Sequence, residues 1–178
     1  MKIYLAGPDV FEPKAIEKGE ELKKLCAKYN AEGLFPLDNA FHGIEHGSLE
    51  LATAIRDANM KLIMSCDAVV ANMNPFRAPS MDIGTAYEMG VGAALGKVVI
   101  GYSKDERSYV EKVKATRKVE RADDGQLRDE DGMAVEEFAS NGVGLVDNLM
   151  ITCGMEKFCS TAEEAIQAAV ELFAAKKK

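Results

Sequence analysis

The stretch DAVVANMNPFRAPSMDIGTAYEMGVGAALGKVVIGY, residues 67–102, predicts two strands joined by a helix. The run DAVVANM at residues 67–73 is typical of a buried strand, and two prolines mark residues 74–81 as a loop. Small and apolar residues predict a helix at residues 83–95, and KVVIGY predicts another strand at residues 97–102. A strand, a crossover helix and a second strand form the unit from which parallel sheets are built.

The same alternation of strands and helices continues on both sides of this unit. The further predicted elements are strands at residues 2–6, 33–36 and 156–159, and helices at residues 13–29, 49–66 and 161–175. Five strands that alternate with helices indicate an α/β fold. We therefore expect residues 1–178 to form a single-domain three-layer α/β/α sandwich. Its five-stranded parallel sheet would be of the Rossmann-like or flavodoxin-like type.

The segment between the fourth and fifth strands departs from this regular pattern. Residues 103–132 are mostly charged, so we expect an exposed excursion there with a partial helix at its start. A short helix is predicted at residues 134–140, and another helix is predicted to begin within residues 146–150.

Composition argues against several classes of protein. The 178 residues hold 22 Lys and Arg against 29 Asp and Glu, a net charge of −7. Nucleic acids and anionic membranes are therefore not expected as partners, because both are bound through Lys and Arg. No apolar run approaches the ~20 residues of a membrane span, and the N-terminus lacks a signal-peptide pattern. Four cysteines without a CxxC pair predict reduced thiols in a cytoplasmic protein, and we expect no metal and no cofactor.

Two carboxylates in the central stretch are candidate catalytic residues. Asp82 stands at the predicted N-cap of the helix, and Glu88 follows six residues later. The structural alternative is that Asp82 only caps the helix and Glu88 only faces solvent. Against this alternative, an unpaired carboxylate in a small and apolar helix is costly unless it has a function, so the segment alone leaves both interpretations open.

The loops after the first two strands should lie at the edge of the sheet where ligands bind. Gly7 permits a close approach of the backbone, and Phe11 could stack on a flat ring or occupy the core. Asp38 follows the second strand, where an ordinary Asx turn is the alternative. His42 and His46 have the spacing of helical metal ligands, but neighbouring glycines favour a loop and no third ligand is evident.

Together these segments resemble the nucleoside 2-deoxyribosyltransferase family. The matching pieces are IYLAGPDVF at residues 3–11, PLDN at 36–39, DAVVANMNPFR at 67–77, DIGTAYEMGVGAALGK at 82–97 and NLM at 148–150. The resemblance implies an enzyme that moves 2-deoxyribose between nucleobases, with a deoxynucleoside and a free nucleobase as its substrates. It also implies a homo-oligomer, commonly a hexamer built of dimers, whose sites are completed by a neighbouring subunit.

The resemblance also assigns roles to individual residues. Glu88 matches the family's nucleophile, and Asp82 matches the carboxylate that binds the deoxyribose hydroxyls. Asn148 matches the asparagine that enters the neighbour's site and holds the 5′ end of the sugar. The remaining matches line the pocket near sugar and base: Tyr4, Gly7 and Phe11.

One position departs from the family pattern. Some members carry an aspartate, on the helix before the third strand, that is thought to protonate the leaving base. Asn59 stands there in this sequence, and it is retained as a candidate substrate-binding residue. Because an amide cannot supply that proton, Asp38, Asp82 or a water must act as the donor.

The chemistry of the implied reaction suits these residues. A carboxylate beside the anomeric carbon stabilises an oxocarbenium-like transition state and can form a covalent glycosyl-enzyme, and two displacements retain configuration. Two alternatives remain: a 2′-deoxynucleoside 5′-monophosphate N-glycosidase, and a non-catalytic nucleotide-binding module on the same fold. The presence of Asn148 and the lack of a first loop rich in Ser, Gly and Arg favour the transferase.

Overall fold

A computed structural model describes residues 1–177 and contains nine strands and six α-helices within them. The strands are β1 Lys2–Ala6, β2 Glu32–Leu34, β3 Ala68–Asn72, β4 Val98–Tyr102, β5 Val119–Arg121, β6 Leu127–Asp129, β7 Ala139–Ser140, β8 Val143–Gly144 and β9 Lys157–Cys159. The helices are α1 Ala15–Lys28, α2 Leu49–Ser65, α3 Ile83–Ala94, α4 Tyr109–Lys114, α5 Leu149–Thr152 and α6 Ala162–Lys176. Two 3₁₀ helices follow the first two strands, at Pro8–Phe11 and Pro36–Asp38.

The central sheet has the predicted five parallel strands, in the order β2-β1-β3-β4-β9. Tyr4 pairs with Leu34 of β2 on one side and with Val69 of β3 on the other. This order, with the second strand at one edge and the last at the other, is the flavodoxin-like arrangement. The predicted fold class is therefore confirmed.

Successive residues of β1 point to opposite faces of the sheet, and this alternation builds two separate cores. Ile3 and Leu5 pack in one core with residues of α1 and α6. Tyr4 and Ala6 pack in the other core, where Ile63 of α2 and residues of α3 complete the cluster. The side chain of Tyr4 is thus directed into the layer that carries the candidate catalytic helix.

Helix α3 lies close against the sheet because one of its residues has no side chain. A Cβ atom on Gly92 would come within 2.7 Å of Cγ2 of Val69. Such a distance is shorter than a carbon–carbon contact allows, so a larger residue would push α3 away from β3. Gly92 therefore fixes the depth at which Glu88, on the same helix, lies over the sheet.

Local signals in the sequence set where the main helices begin. Ser48, Asp82 and Thr161 each accept a hydrogen bond from a backbone N–H in the first turn of α2, α3 and α6. Thr161 and Glu164 form a capping box at the start of α6. No helix within residues 1–177 has the length and apolar character needed to cross a membrane.

The predicted helix at residues 134–140 is wrong. Ala134 instead bridges to Arg128, and Ala139–Ser140 pairs with Val143–Gly144 as an antiparallel hairpin. The reason is the dipeptide Asn141-Gly142, whose φ angles of 52° and 80° fit the tight turn that joins hairpin strands. The charged segment before it contains the partial helix α4 and a second hairpin, β5–β6.

Candidate active site

Asp82 caps helix α3 at the carboxyl edge of the sheet. Its Oδ2 atom accepts hydrogen bonds from the backbone N–H of Thr85 at 2.8 Å and from the Thr85 hydroxyl at 2.9 Å. Both contacts use the same carboxylate oxygen, so Oδ1 remains able to accept a hydrogen bond from a ligand. A cap and a ligand-binding role are therefore compatible in this one residue.

Glu88 lies in the second turn of α3 and is held by the first strand. The hydroxyl of Tyr4, a fully buried residue of β1, donates to Oε1 of Glu88 at 2.5 Å. The pKa of Glu88 is raised from 4.5 to about 7, mainly because the carboxyl is buried. The hydrogen bond from Tyr4 lowers this pKa, and the negative charge of Asp82 raises it. Burial and the charge of Glu88 in turn raise the pKa of Tyr4, so its hydroxyl remains a donor.

A pocket of about 320 Å³ opens beside Glu88 and contains most of the predicted site residues. The predicted residues in its lining are Gly7, Phe11, Asn59, Asp82 and Glu88. A second cavity of about 270 Å³ adjoins it and shares Asn59 and Glu88. The volume, the largely apolar walls and the few polar groups are typical of a small-molecule site.

Gly7 is required where the first strand enters the pocket wall. A Cβ atom there would lie 2.8 Å from Cβ of Asn72, so the position has no room for a side chain. Beneath it the Asn72 amide donates to Oδ2 of the buried Asp9 at 2.9 Å. This bond links the loop after β1 to the end of β3 next to Gly7.

An aromatic stack forms beside the pocket. The rings of Phe11 and Phe76 lie 5.4 Å apart and nearly parallel, and the Arg77 guanidinium sits 4.5 Å from the Phe76 ring centre. Phe11 is 57% exposed, so the alternative that it belongs to the core is wrong. Phe76 and Arg77 were not singled out as site residues from the sequence. Their place in the loop that follows β3, at the edge of the sheet where ligands bind, could have identified them.

Asn59 on α2 is the candidate with an unused polar atom. Its Oδ1 atom is buried and has no hydrogen-bond partner among the residues that the structure describes. A buried acceptor without a donor costs about 1–3 kcal/mol, so a ligand that brings a donor would relieve this penalty. Asn59 faces both cavities next to Glu88, where the ligand would lie.

The structure does not bring Asp38 into the pocket lining. One of its carboxylate oxygens accepts from Nζ of Lys23 at 2.8 Å, and the other accepts from the backbone N–H of Phe35 at 2.9 Å. Its neighbours Pro36 and Leu37 line the pocket instead. The carboxylate therefore caps the 3₁₀ helix Pro36–Asp38 through the backbone of Phe35 and pairs with a lysine, which is a structural role different from the expected Asx turn.

Asn148 is also absent from the lining of the pocket in its own chain. It caps the short helix α5, with Oδ1 accepting from the backbone N–H of Met150 at 3.0 Å. Its amide nitrogen donates to Oε1 of Glu136 at 2.7 Å. His42 and His46 lie apart from the pocket, and no metal-holding group of His, Cys, Asp or Glu occurs within residues 1–177.

Comparison with known proteins assigns the chain to a family. The sequence profile of the nucleoside 2-deoxyribosyltransferase family matches residues 3–150. A 2-deoxyribosyltransferase structure from Leishmania mexicana is 36% identical, with a TM-score of 0.72 over 96% of this chain and 97% of that one. The protein therefore belongs to the nucleoside 2-deoxyribosyltransferase family.

Two further relatives extend the comparison. An uncharacterized protein of Schizosaccharomyces pombe is 37% identical over 161 residues, which cover 83% of this chain and 74% of that protein. A 2-deoxyribosyltransferase of Bacillus psychrosaccharolyticus is 20% identical and has a TM-score of 0.61, with 96% of each chain covered. At that identity the second comparison supports the fold alone.

Proposed function

We propose that the protein transfers 2-deoxyribose from a deoxynucleoside to a second nucleobase through a covalent deoxyribosyl ester on Glu88. The observation that supports this most strongly is the 2.5 Å bond from Tyr4 to Glu88 at the wall of the pocket. One carboxylate oxygen is fixed by that bond, and the other is free to face the anomeric carbon of a bound sugar. The family membership of the chain supports the same reaction.

The reaction consists of two displacements at C1′ of the sugar. In the first, the free oxygen of ionised Glu88 bonds to C1′ while the bond to the base nitrogen breaks, and the base leaves with the electron pair and takes up a proton. In the second, a nitrogen of the incoming base attacks C1′ from the opposite face, the ester bond breaks, and the N–H proton of that base returns to the group that protonated the leaving base. Glu88 is regenerated as a carboxylate, and two inversions retain the original configuration.

The other pocket residues hold the substrate around this reaction. Asp82 accepts a hydrogen bond from a deoxyribose hydroxyl through Oδ1, the oxygen that Thr85 leaves free. Phe11 stacks on the base, and Asn59 supplies the acceptor that currently lacks a donor. Because Asp38 is paired with Lys23 outside the lining and Asp82 in this arrangement accepts hydrogen bonds with both oxygens, a water supplies the proton to the leaving base.

A neighbouring subunit completes each site in this proposal. Asn148 lies outside the pocket of its own chain, so it contributes to the reaction only if it reaches the pocket of another copy. Apolar residues beside the pocket are suited to contact that copy, because Ile83 is 87% exposed and Tyr87 is 55% exposed. A dimer-based homo-oligomer, such as a hexamer, would cover these side chains and also exclude water from the ester intermediate.

Chromatography of a reaction with one deoxynucleoside and one different free base tests the function. Several purine and pyrimidine pairs are needed, since the residues described do not select between them. Formation of a new deoxynucleoside supports transfer, and release of free base alone indicates a hydrolase. If the deoxynucleoside stays unchanged, the protein is neither a transferase nor a hydrolase for these substrates. Glu88→Gln should lose at least about 1,000-fold in rate, whereas Glu17→Gln, an exposed carboxylate on α1, should react like the wild type.

Mass spectrometry of the protein trapped with a slow substrate tests the covalent step. A deoxyribosyl adduct is expected on the peptide that contains Glu88. An adduct on Asp82 would overturn the assignment of the nucleophile, and a transferase without any adduct would exclude the double displacement.

Mixing two inactive variants tests the shared site. If Asn148 acts in the neighbour's pocket, a mixed dimer of Glu88→Ala and Asn148→Ala has one site with both changes and one with neither. Activity should then return when the subunits exchange. A mixture that stays inactive after exchange, verified with differently tagged subunits, would contradict the shared site.

A further inference from the structure

Asp147 is a buried carboxylate that the reaction as described does not use. It is 1% exposed, and its oxygens accept hydrogen bonds from three donors. The backbone N–H of Met81 donates to Oδ2 at 3.1 Å, the backbone N–H of Asn148 donates to Oδ1 at 2.8 Å, and the Ser80 hydroxyl also donates to Oδ1. A carboxylate is retained in such a place only when these bonds offset the cost of its burial.

The three donors belong to two segments that are far apart in the sequence. Ser80 and Met81 end the loop that leads from β3 to Asp82, whereas Asn148 begins helix α5. Asp147 therefore attaches the start of α5 to the loop on which the catalytic helix α3 begins.

The backbone of Asp147 is fixed as firmly as its side chain. Its N–H donates to the Thr152 hydroxyl at 3.1 Å, and that hydroxyl donates back to its carbonyl oxygen at 2.9 Å. One residue earlier, Nζ of the buried Lys112 donates to the carbonyl oxygen of Val146 at 2.8 Å. The backbone and the side chain of Asp147 are thus both held in place, and its carboxylate in turn holds the backbone N–H of Asn148.

The two segments depend on Asp147 to different degrees. Asp82 is held by Thr85 within its own helix and does not need Asp147 for its orientation. Asn148 has its side chain held by Glu136, but its backbone N–H is held by Asp147. Loss of the carboxylate should therefore displace Asn148 more than Asp82.

We propose that Asp147 is a positioning residue that fixes Asn148 for its role in the active site of the neighbouring subunit. This rests on the proposed shared site. In Asp147→Asn the side chain keeps only one acceptor oxygen for the three donors. Its amide nitrogen is itself a donor, so it faces one of these donors without forming a hydrogen bond. The backbone at residue 148 should shift, and transfer should fall by about 10- to 100-fold.

Subunit mixing distinguishes positioning from a general structural role. In a mixed dimer of Asp147→Asn with Glu88→Ala, the intact Glu88 receives Asn148 from the subunit that retains Asp147. Activity should therefore rise to the level of the Asn148→Ala and Glu88→Ala mixture. Asp123→Asn, an exposed aspartate of the β5–β6 hairpin, should leave transfer unchanged.

Each outcome of the mixing experiment decides between the two roles. If the Asn148→Ala mixture recovers and the Asp147→Asn mixture does not, Asp147 acts within its own chain and the proposal is wrong. If neither mixture recovers activity after verified exchange, the shared site is wrong, and the proposal that depends on it is also wrong. Wild-type activity of Asp147→Asn alone would also overturn the proposal.

A second variant covers the case in which Asp147→Asn does not fold, as judged by its melting curve. Ser80→Ala removes one donor and leaves the carboxylate with its two backbone partners. It should lose about 3- to 10-fold in transfer and recover on mixing with Glu88→Ala. Unchanged transfer by Ser80→Ala would contradict the proposal in that case.

Discussion

Replacing Tyr4 by phenylalanine removes one hydroxyl from the core and changes the charge of Glu88. The hydrogen bond from Tyr4 keeps the pKa of Glu88 at about 7, below the value that burial alone would give. A bond to a charged group contributes about 1.5–3 kcal/mol, which corresponds to a shift of roughly one to two pKa units. In Tyr4→Phe the pKa of Glu88 should therefore rise to about 8–9.

The rate at neutral pH should fall because the nucleophile must be ionised. At pH 7 the ionised fraction of Glu88 would drop from about one half to between about 1 and 9%, so kcat/KM should fall by about 5- to 50-fold. At pH 9.5 at least about three-quarters of Glu88 would be ionised in both proteins, so the loss should shrink to less than about 1.5-fold. The measurement is the pH dependence of kcat/KM for both proteins between pH 5.5 and 10.

The matched control is Tyr29→Phe, which removes a hydroxyl that bonds to Glu163, a residue of α6. That variant should keep the wild-type pH profile. A uniform loss in Tyr4→Phe at every pH, with the midpoint unchanged, would refute the role of the hydroxyl in setting the charge of Glu88.

Three further predictions concern the same pocket. Because the pKa of Glu88 rises from 4.5 to about 7 in the folded state, the free energy of unfolding should fall by roughly 3 kcal/mol as pH rises through that window. The stability of Glu88→Gln should not fall in this way, so its Tm should exceed that of the wild type at pH 8 but not at pH 4.5. The same Tm difference at both pH values would contradict the raised pKa of Glu88. Adenosine should react far more slowly than 2′-deoxyadenosine, since a 2′-hydroxyl withdraws electrons from the cationic transition state and needs space beside Glu88; equal rates would point to another glycosidase. Asn59→Asp should introduce an acid beside the base and so raise the rate of transfer below pH 6. An unchanged pH profile would show that residue 59 does not contact the base.

Most of the fold could be predicted because its signals are local. The apolar runs of the strands act within a few residues, and so do the caps Ser48, Asp82 and Thr161 that the structure contains. The predicted helix at residues 134–140 failed for an equally local reason. The turn formed by Asn141-Gly142 is a stronger determinant than the helix propensity of the residues before it.

The site was predictable only in part, because its contacts join distant parts of the chain. Asp82 and Glu88 lie on one helix, so their spacing alone suggested a pair. The bond from Tyr4 to Glu88 spans 84 residues, and the bond from Asn72 to Asp9 spans 63. No periodicity within a segment encodes such pairs. Gly7 and Phe11 were expected at the ligand-binding edge from their place after β1, whereas Tyr4, which bonds to Glu88 from within the core, was expected near the site only through the family resemblance.

The order of elements along the chain has a consequence for how the protein is made. The first 102 residues contain β1 to β4 and the residues around Glu88, while β9 and α6 come last. One face of β3 and β4 is covered by α6, through residues such as Ile166 and Ala169. A growing chain on the ribosome therefore holds all the residues that line the candidate pocket while the apolar surface that α6 covers on β3 and β4 is still exposed, and such surface is prone to aggregation. Protection of the nascent chain from aggregation thus depends on α6, which is synthesised after the pocket residues and does not line the pocket.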